Sequence, residues 1–122
     1  MRRILLCTGK VYYDLLAARA ERKVTDVAIV RVEQLFPLRR DVLLEILGSY
    51  REGTELFWVQ EEPKNMGAWP YINRELPGSV LGLFPWSCVS RPLSASPATG
   101  SEKRHKLEQE KLIADAFGKG KI

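Results

Sequence analysis

The single histidine of the chain, His105, is flanked by Lys103, Arg104 and Lys106. Basic neighbours on both sides describe a solvated helix face, and no adjacent serine or cysteine offers a nucleophile for it to activate. Glu61 and Glu62 form an adjacent carboxylate pair after an apolar run. Carboxylates in unlike environments can divide acid and base work. Neighbours on an extended strand, however, face opposite ways, so local pairing of one and solvation of the other is the competing reading. Thr8-Gly9-Lys10 would bring a hydroxyl, free N–H groups and an ammonium to a helix start, the chemistry of an anion site. An ordinary tight turn explains the same residues. The stretch from Arg91 to Gly100 (RPLSASPATG) is rich in hydroxyls and small residues, with Arg91 at one end and Lys103 and Arg104 just past the other. It suits either a phosphate-holding loop or a rigid connection. GxSxG, HExxH and GxxxxGK[ST] are all missing from the sequence.

Cys7 and Cys88 are far apart and each lies in an apolar run, where a thiol acts as a small hydrophobe. With one histidine and no Cys/His cluster, a structural zinc site is excluded. Trp58, Trp69 and Trp86 read as core or interface residues rather than a stacking platform. The charge sum of 19 Lys+Arg against 15 Asp+Glu, net +4, suits anionic ligands, and without an aromatic-basic motif it argues against nucleic acid. The opening apolar run, Ile4 to Cys7, is too short for a secretory core of about 7–15 residues or a membrane helix of about 20. The expectation is a soluble protein of a reducing compartment.

The elements that must position these residues show in the alternation of apolar runs and amphipathic stretches. Ile4-Leu5-Leu6-Cys7, Val27-Ala28-Ile29-Val30, Leu56-Phe57-Trp58-Val59 and, more weakly, Trp86–Ser90 are continuous runs, as strands covered on both faces require. Helices are expected over about 10–22, around Val42, Leu43, Ile46, Leu47 and Tyr50, and near 68–76 with Pro70 in its first turn and Pro77-Gly78 as its stop. A last helix should open on the capping box Thr99-Gly100-Ser101-Glu102, align Leu107, Lys111, Ala114 and Phe117 on one face, and stop at Gly118. Strand starts near residues 3, 27, 56 and 86 have βαβ spacing. These 122 residues are therefore expected to form one three-layer α/β/α domain, with a mostly parallel sheet of about four strands. Its ligand rim would lie at the strands' carboxyl ends.

Three strings carry a resemblance: VRVEQLFP (30–37), WVQEEPKNMGAW (58–69) and RPLSASPATG (91–100), with LLCTGKVYYDL (5–15) and HKLEQE (105–110) in support. In this order they resemble the C-terminal domain of the thiamine-diphosphate-dependent, decarboxylating component of 2-oxoglutarate dehydrogenase. The resemblance covers nearly the whole chain and implies a transketolase C-terminal-like fold with strand order 2-1-3-4. The antiparallel edge strand that precedes the parallel strands in that family is expected to be lacking here. It also implies a non-catalytic fragment of a much longer, homodimeric enzyme. The parent would decarboxylate 2-oxoglutarate in the citric acid cycle with thiamine diphosphate and magnesium bound by upstream domains, and pass a succinyl group to the dihydrolipoyl succinyltransferase component. No cofactor is expected in these residues, and the compartment would be bacterial cytoplasm or mitochondrial matrix. In some relatives an acyl-CoA or adenine nucleotide, such as acetyl-CoA or AMP, regulates from this domain. The corresponding candidates are Thr8, Lys10, Arg31, Glu61, Arg91 and Lys103, the first four lining a crevice between the first and third strands. An exposed apolar face for other subunits is placed on Trp69, Tyr71 and Phe84.

Overall fold

A computed structural model describes residues 1–33, 39–92 and 102–118. In chain order these form β1 (Arg3–Cys7), α1 (Val11–Glu21), β2 (Val27–Arg31), α2 (Arg40–Leu47), β3 (Glu55–Pro63), α3 (Trp69–Glu75), β4 (Ser79–Val80), β5 (Phe84–Arg91) and α4 (Glu102–Phe117). The sheet order is β2-β1-β3-β5-β4. β1 runs parallel to β2 and β3, and β3 parallel to β5. β4 pairs antiparallel with β5.

The parallel strands are apolar along their length because both faces of the sheet are covered. Ile4, Leu6, Ala28, Leu56 and Trp58 point to one side, where Leu43 and Leu47 of α2 and Trp69 and Ile72 of α3 meet them. Leu5, Cys7, Val27 and Val59 point to the other, against Val11 and Leu15 of α1 and Leu112, Ile113, Ala116 and Phe117 of α4. Alternate residues of one run thus serve two cores, and the domain has three layers.

Several expectations need correction. The sheet has five strands rather than four, and its order ends 5-4 because β4 enters at the far edge. This strand is antiparallel and lies between α3 and β5, not ahead of β1. It forms because Gly78 (φ +79°) reverses the chain and Leu81 and Gly82 (φ +59° and +68°) turn it back. Two residues are too few to show a period. The buried stripe of α4 is 112, 113, 116 and 117, while Leu107 is 57% exposed. It is the C-terminal half of α4 that packs on the sheet, through these four residues. At its C-terminus, Arg3 donates to the Asp115 and Ala116 carbonyls (3.1 and 2.9 Å) and Arg2 to that of Phe117 (2.8 Å). Two cations thereby satisfy carbonyls that no helical N–H reaches. The helix stops at Gly118 (φ +68°) as expected. The capping-box residues Thr99, Gly100 and Ser101, like the rest of 93–101 and residues 34–38, lie outside the described residues.

Candidate functional site at the strand ends

The carboxyl ends of β1 and β3 border a cleft of about 230 Å³. Thr8, Gly9 and Lys10 line it from the turn into α1, and Gln60, Glu61 and Glu62 from the end of β3. Gly9 adopts φ +75°, a left-handed backbone angle that other residues resist, where the chain leaves β1 and enters α1.

The last part of β3 departs from regular pairing. Val59 is opposite Val89 and Pro63 is opposite Arg91, so four steps on β3 match two on β5. Through this bulge Gln60 stays on the Trp58 side of the strand and Glu61 on the Val59 side, toward α1. Gln60 turns inward and is the one buried polar residue among those described, at 4% exposure. Its Oε1 accepts from Trp58 Nε1 and the Trp69 backbone N–H, both at 3.0 Å. Its Nε2 donates to the carbonyls of Pro63 (2.9 Å), Met66 (2.8 Å) and, more weakly, Glu62 (3.3 Å). Sequence inspection passed over Gln60, although a glutamine directly after a buried strand run is a polar group that must find partners.

Glu61 joins the elements of the rim. Lys10 Nζ donates to its Oε2 at 2.9 Å, and Arg91 Nη2 stands 3.8 Å from the same oxygen. Hydrogen bonding to Glu61 holds the Lys10 ammonium above the usual lysine range, against a smaller opposing effect of desolvation. The Arg91 side chain is only 12% exposed. It contacts His105 Nδ1 (2.9 Å) and donates to Gln109 Oε1 (2.6 Å) on α4, and Gln109 Nε2 donates to Asp14 on α1 at 3.4 Å. His105 is therefore an exposed arginine partner rather than a base beside a nucleophile. Glu62 is exposed, so the two carboxylates do separate, although Glu61 pairs with a residue 51 positions away.

Of the six rim candidates, Thr8, Lys10 and Glu61 line the cleft, and Arg91 stands outside its lining, 3.8 Å from Glu61. Arg31 lies outside it, donating to Tyr13 Oη (3.1 Å) and facing Glu33 at 3.7 Å. Lys103 is exposed in the first turn of α4, apart from the cleft lining. Trp69 and Phe84 are 6% and 2% exposed, so neither belongs to an apolar outer face. Trp69 stacks edge-on against Trp86 at 5.0 Å between centroids, and Phe84 fills the same core. Tyr71 is half-buried against that core, 5.7 Å from the Arg74 guanidinium carbon. Burial pushes the thiols of Cys7 and Cys88 up to about 12 and about 11. Both cysteines are free.

The donor set of the cleft does not fit a magnesium-bound diphosphate. Magnesium takes six oxygens in near-octahedral order, whereas the cleft's carboxylates are Glu61, already held by Lys10, and the exposed Glu62. Among the described residues no three His, Cys, Asp or Glu side chains converge on a point. No helix among them is long and apolar enough to cross a membrane.

Fold and rim together define an α/β domain of the open parallel-sheet class, with its polar groups gathered where such sheets receive ligands or neighbouring domains. The chain belongs to the 2-oxoglutarate dehydrogenase C-terminal family, whose model matches residues 1–117. It is similar to the 2-oxoglutarate dehydrogenase E1 component of Cupriavidus necator, 38% identical over 119 residues, which are 98% of this chain and 12% of that protein. It is also similar to the multifunctional 2-oxoglutarate metabolism enzyme of Mycobacterium sp. strains JLS and KMS, 45% identical over 116 residues, 94% of this chain and 9% of theirs. The chain thus spans about a tenth of the length of these relatives.

Proposed function

We propose that this chain is a non-catalytic domain of a 2-oxoglutarate dehydrogenase E1-type enzyme, one that braces the parent's fold while the reaction takes place on other domains. The parent would decarboxylate 2-oxoglutarate with thiamine diphosphate and magnesium and hand the succinyl group to a lipoyl group of a succinyltransferase component. One observation beyond family membership carries the reading. Among the described residues the rim's cations converge on one carboxylate, Lys10 and Arg91 on Glu61, with Arg91 also held by α4. Such a network ties β3, β5, α1 and α4 together and supports a scaffold. In an assay of this chain with 2-oxoglutarate, thiamine diphosphate and magnesium, no carbon dioxide release is expected. Turnover by the chain alone would refute the reading.

A second reading, a regulatory site for an adenine nucleotide or acyl-CoA, is favoured by the cleft's volume of about 230 Å³ and by Lys10, whose side chain is 76% exposed at its mouth. Calorimetric titration with AMP and acetyl-CoA tests it. Binding that Lys10→Ala weakens supports a site in the cleft, and equal binding by the variant removes it.

A further inference from the structure

The hydrogen bonds of Gln60 do more than satisfy a buried amide. On one side they hold the indole of Trp58 and the start of α3, and on the other three carbonyls of the segment that leaves β3. Within that segment the Met66 N–H returns to the Pro63 carbonyl at 2.9 Å and closes a turn. Gly67 follows at φ +67°, and a Cβ there would stand 3.1 Å from Gln60 Oε1 and from the Glu62 side chain. The Pro63–Gly67 loop is therefore anchored to the core from inside, unlike an ordinary mobile surface connection.

What this anchor holds up is Lys64, Asn65 and Met66, all exposed, with Met66 at 54%. Met66 is the only methionine besides Met1. A fixed loop with an unbranched thioether at its tip has already met the ordering cost of binding, and methionine adapts to irregular apolar sockets and is enriched at interfaces. Lys64 enters no ion pair among the described residues. A surface complementary to this tip would be a shallow apolar socket with a carboxylate at its edge. Some 98% of this chain aligns with only 12% of the C. necator E1 component, so most of such an enzyme's surface lies elsewhere in its polypeptide.

The geometry points to the Pro63–Gly67 loop as a preformed knob that docks, Met66 first, into a socket on the part of the E1 polypeptide that this chain does not span. This rests on the reading of the chain as a domain of that enzyme.

The test compares the free 122-residue chain with a full-length C. necator E1 component carrying this chain in place of its own matching segment. Peroxide oxidation of Met66 is followed by peptide mass spectrometry alongside 2-oxoglutarate decarboxylation. In an active chimera Met66 should oxidise at least about tenfold more slowly than in the free chain, as expected when an exposed thioether is covered. Met66→Asp should leave the urea midpoint of the free chain unchanged and lower the chimera's activity or thermal stability, as loss of an interface anchor does. An active chimera in which Met66 oxidises as fast as in the free chain, or tolerates Met66→Asp without loss, overturns the knob and leaves the domain reading standing. An inactive, unassembled chimera counts against the domain reading and the knob together.

Discussion

Replacing Gln60 by leucine keeps the side chain's volume and removes an amide that meets five groups. Two of these, the Trp58 indole N–H and the Trp69 backbone N–H, belong to residues 2% and 6% exposed and would be stranded in the core. Each buried donor left without an acceptor costs about 1–3 kcal/mol. The loop carbonyls of Pro63 and Met66 lie near the surface and can turn to water at lower cost. Leucine returns roughly 1–2 kcal/mol through apolar burial, which leaves a net loss centred on about 2.5 kcal/mol. With a urea m-value of about 1.5 kcal/mol/M, reasonable for a small domain, the midpoint should fall by about 1.5–2 M at unchanged m. Gln60→Glu keeps an acceptor for both tryptophans but faces a second oxygen toward the Pro63 and Met66 carbonyls. Because burial beside these carbonyls favours the neutral acid, which can donate to one of them, its deficit should shrink as pH falls toward about 4.3, the unfolded glutamate's value, and be smallest below it. An unchanged midpoint for Gln60→Leu would refute the claim that this amide holds the bulge.

The raised thiols of Cys7 and Cys88 should make both inert in the native chain: at pH 8 a thiol at about 11 reacts roughly 100-fold more slowly than one at its ordinary 9, and stoichiometric labelling by Ellman's reagent within seconds would contradict this. Because the folded thiol of Cys7 titrates at about 12 against 9, its contribution is fully present below pH 9 and is lost as pH rises toward 12, so Cys7→Ala should flatten the alkaline fall in urea midpoint. Lys23 ends α1 at φ +55°, and Lys23→Gly should raise stability by about 0.5–1 kcal/mol in thermal unfolding by relieving a left-handed residue of its Cβ; a loss would show that the lysine side chain has a packing role. Arg3→Met removes two hydrogen bonds to α4 carbonyls and a cation held 4.1 Å above the Phe57 ring, and should lower stability by about 1–2 kcal/mol and Tm by several degrees in thermal unfolding.

Runs such as Ile4–Cys7 and Val27–Val30 marked, by their apolar continuity alone, strands covered on both sides, as the parallel part of a sheet requires, because only a doubly buried strand has no polar face. Pro70, Pro77-Gly78 and Gly118 likewise marked helix ends locally, through a missing N–H or a backbone angle that other residues resist. The strings around Gln60 and Arg91 marked the family. Which side chains share a site was decided by tertiary structure. Lys10, Glu61, Arg91 and Gln109 come from four elements, and only the crossing of α4 over the strand ends brings Gln109 to Arg91. Alternation along β3 put Gln60 on the Trp58 side and Glu61 on the Val59 side, but their partners, the Trp69 N–H and Lys10, were supplied by α3 and by the turn into α1. Trp69 and Phe84, candidates for an outer face by residue type, were drawn inside because β4 and α3 close over them. Periodicity along a chain records how each element meets its own neighbours, whereas a rim built from the ends of several elements depends on register and crossing, and these are fixed only when the whole sheet assembles.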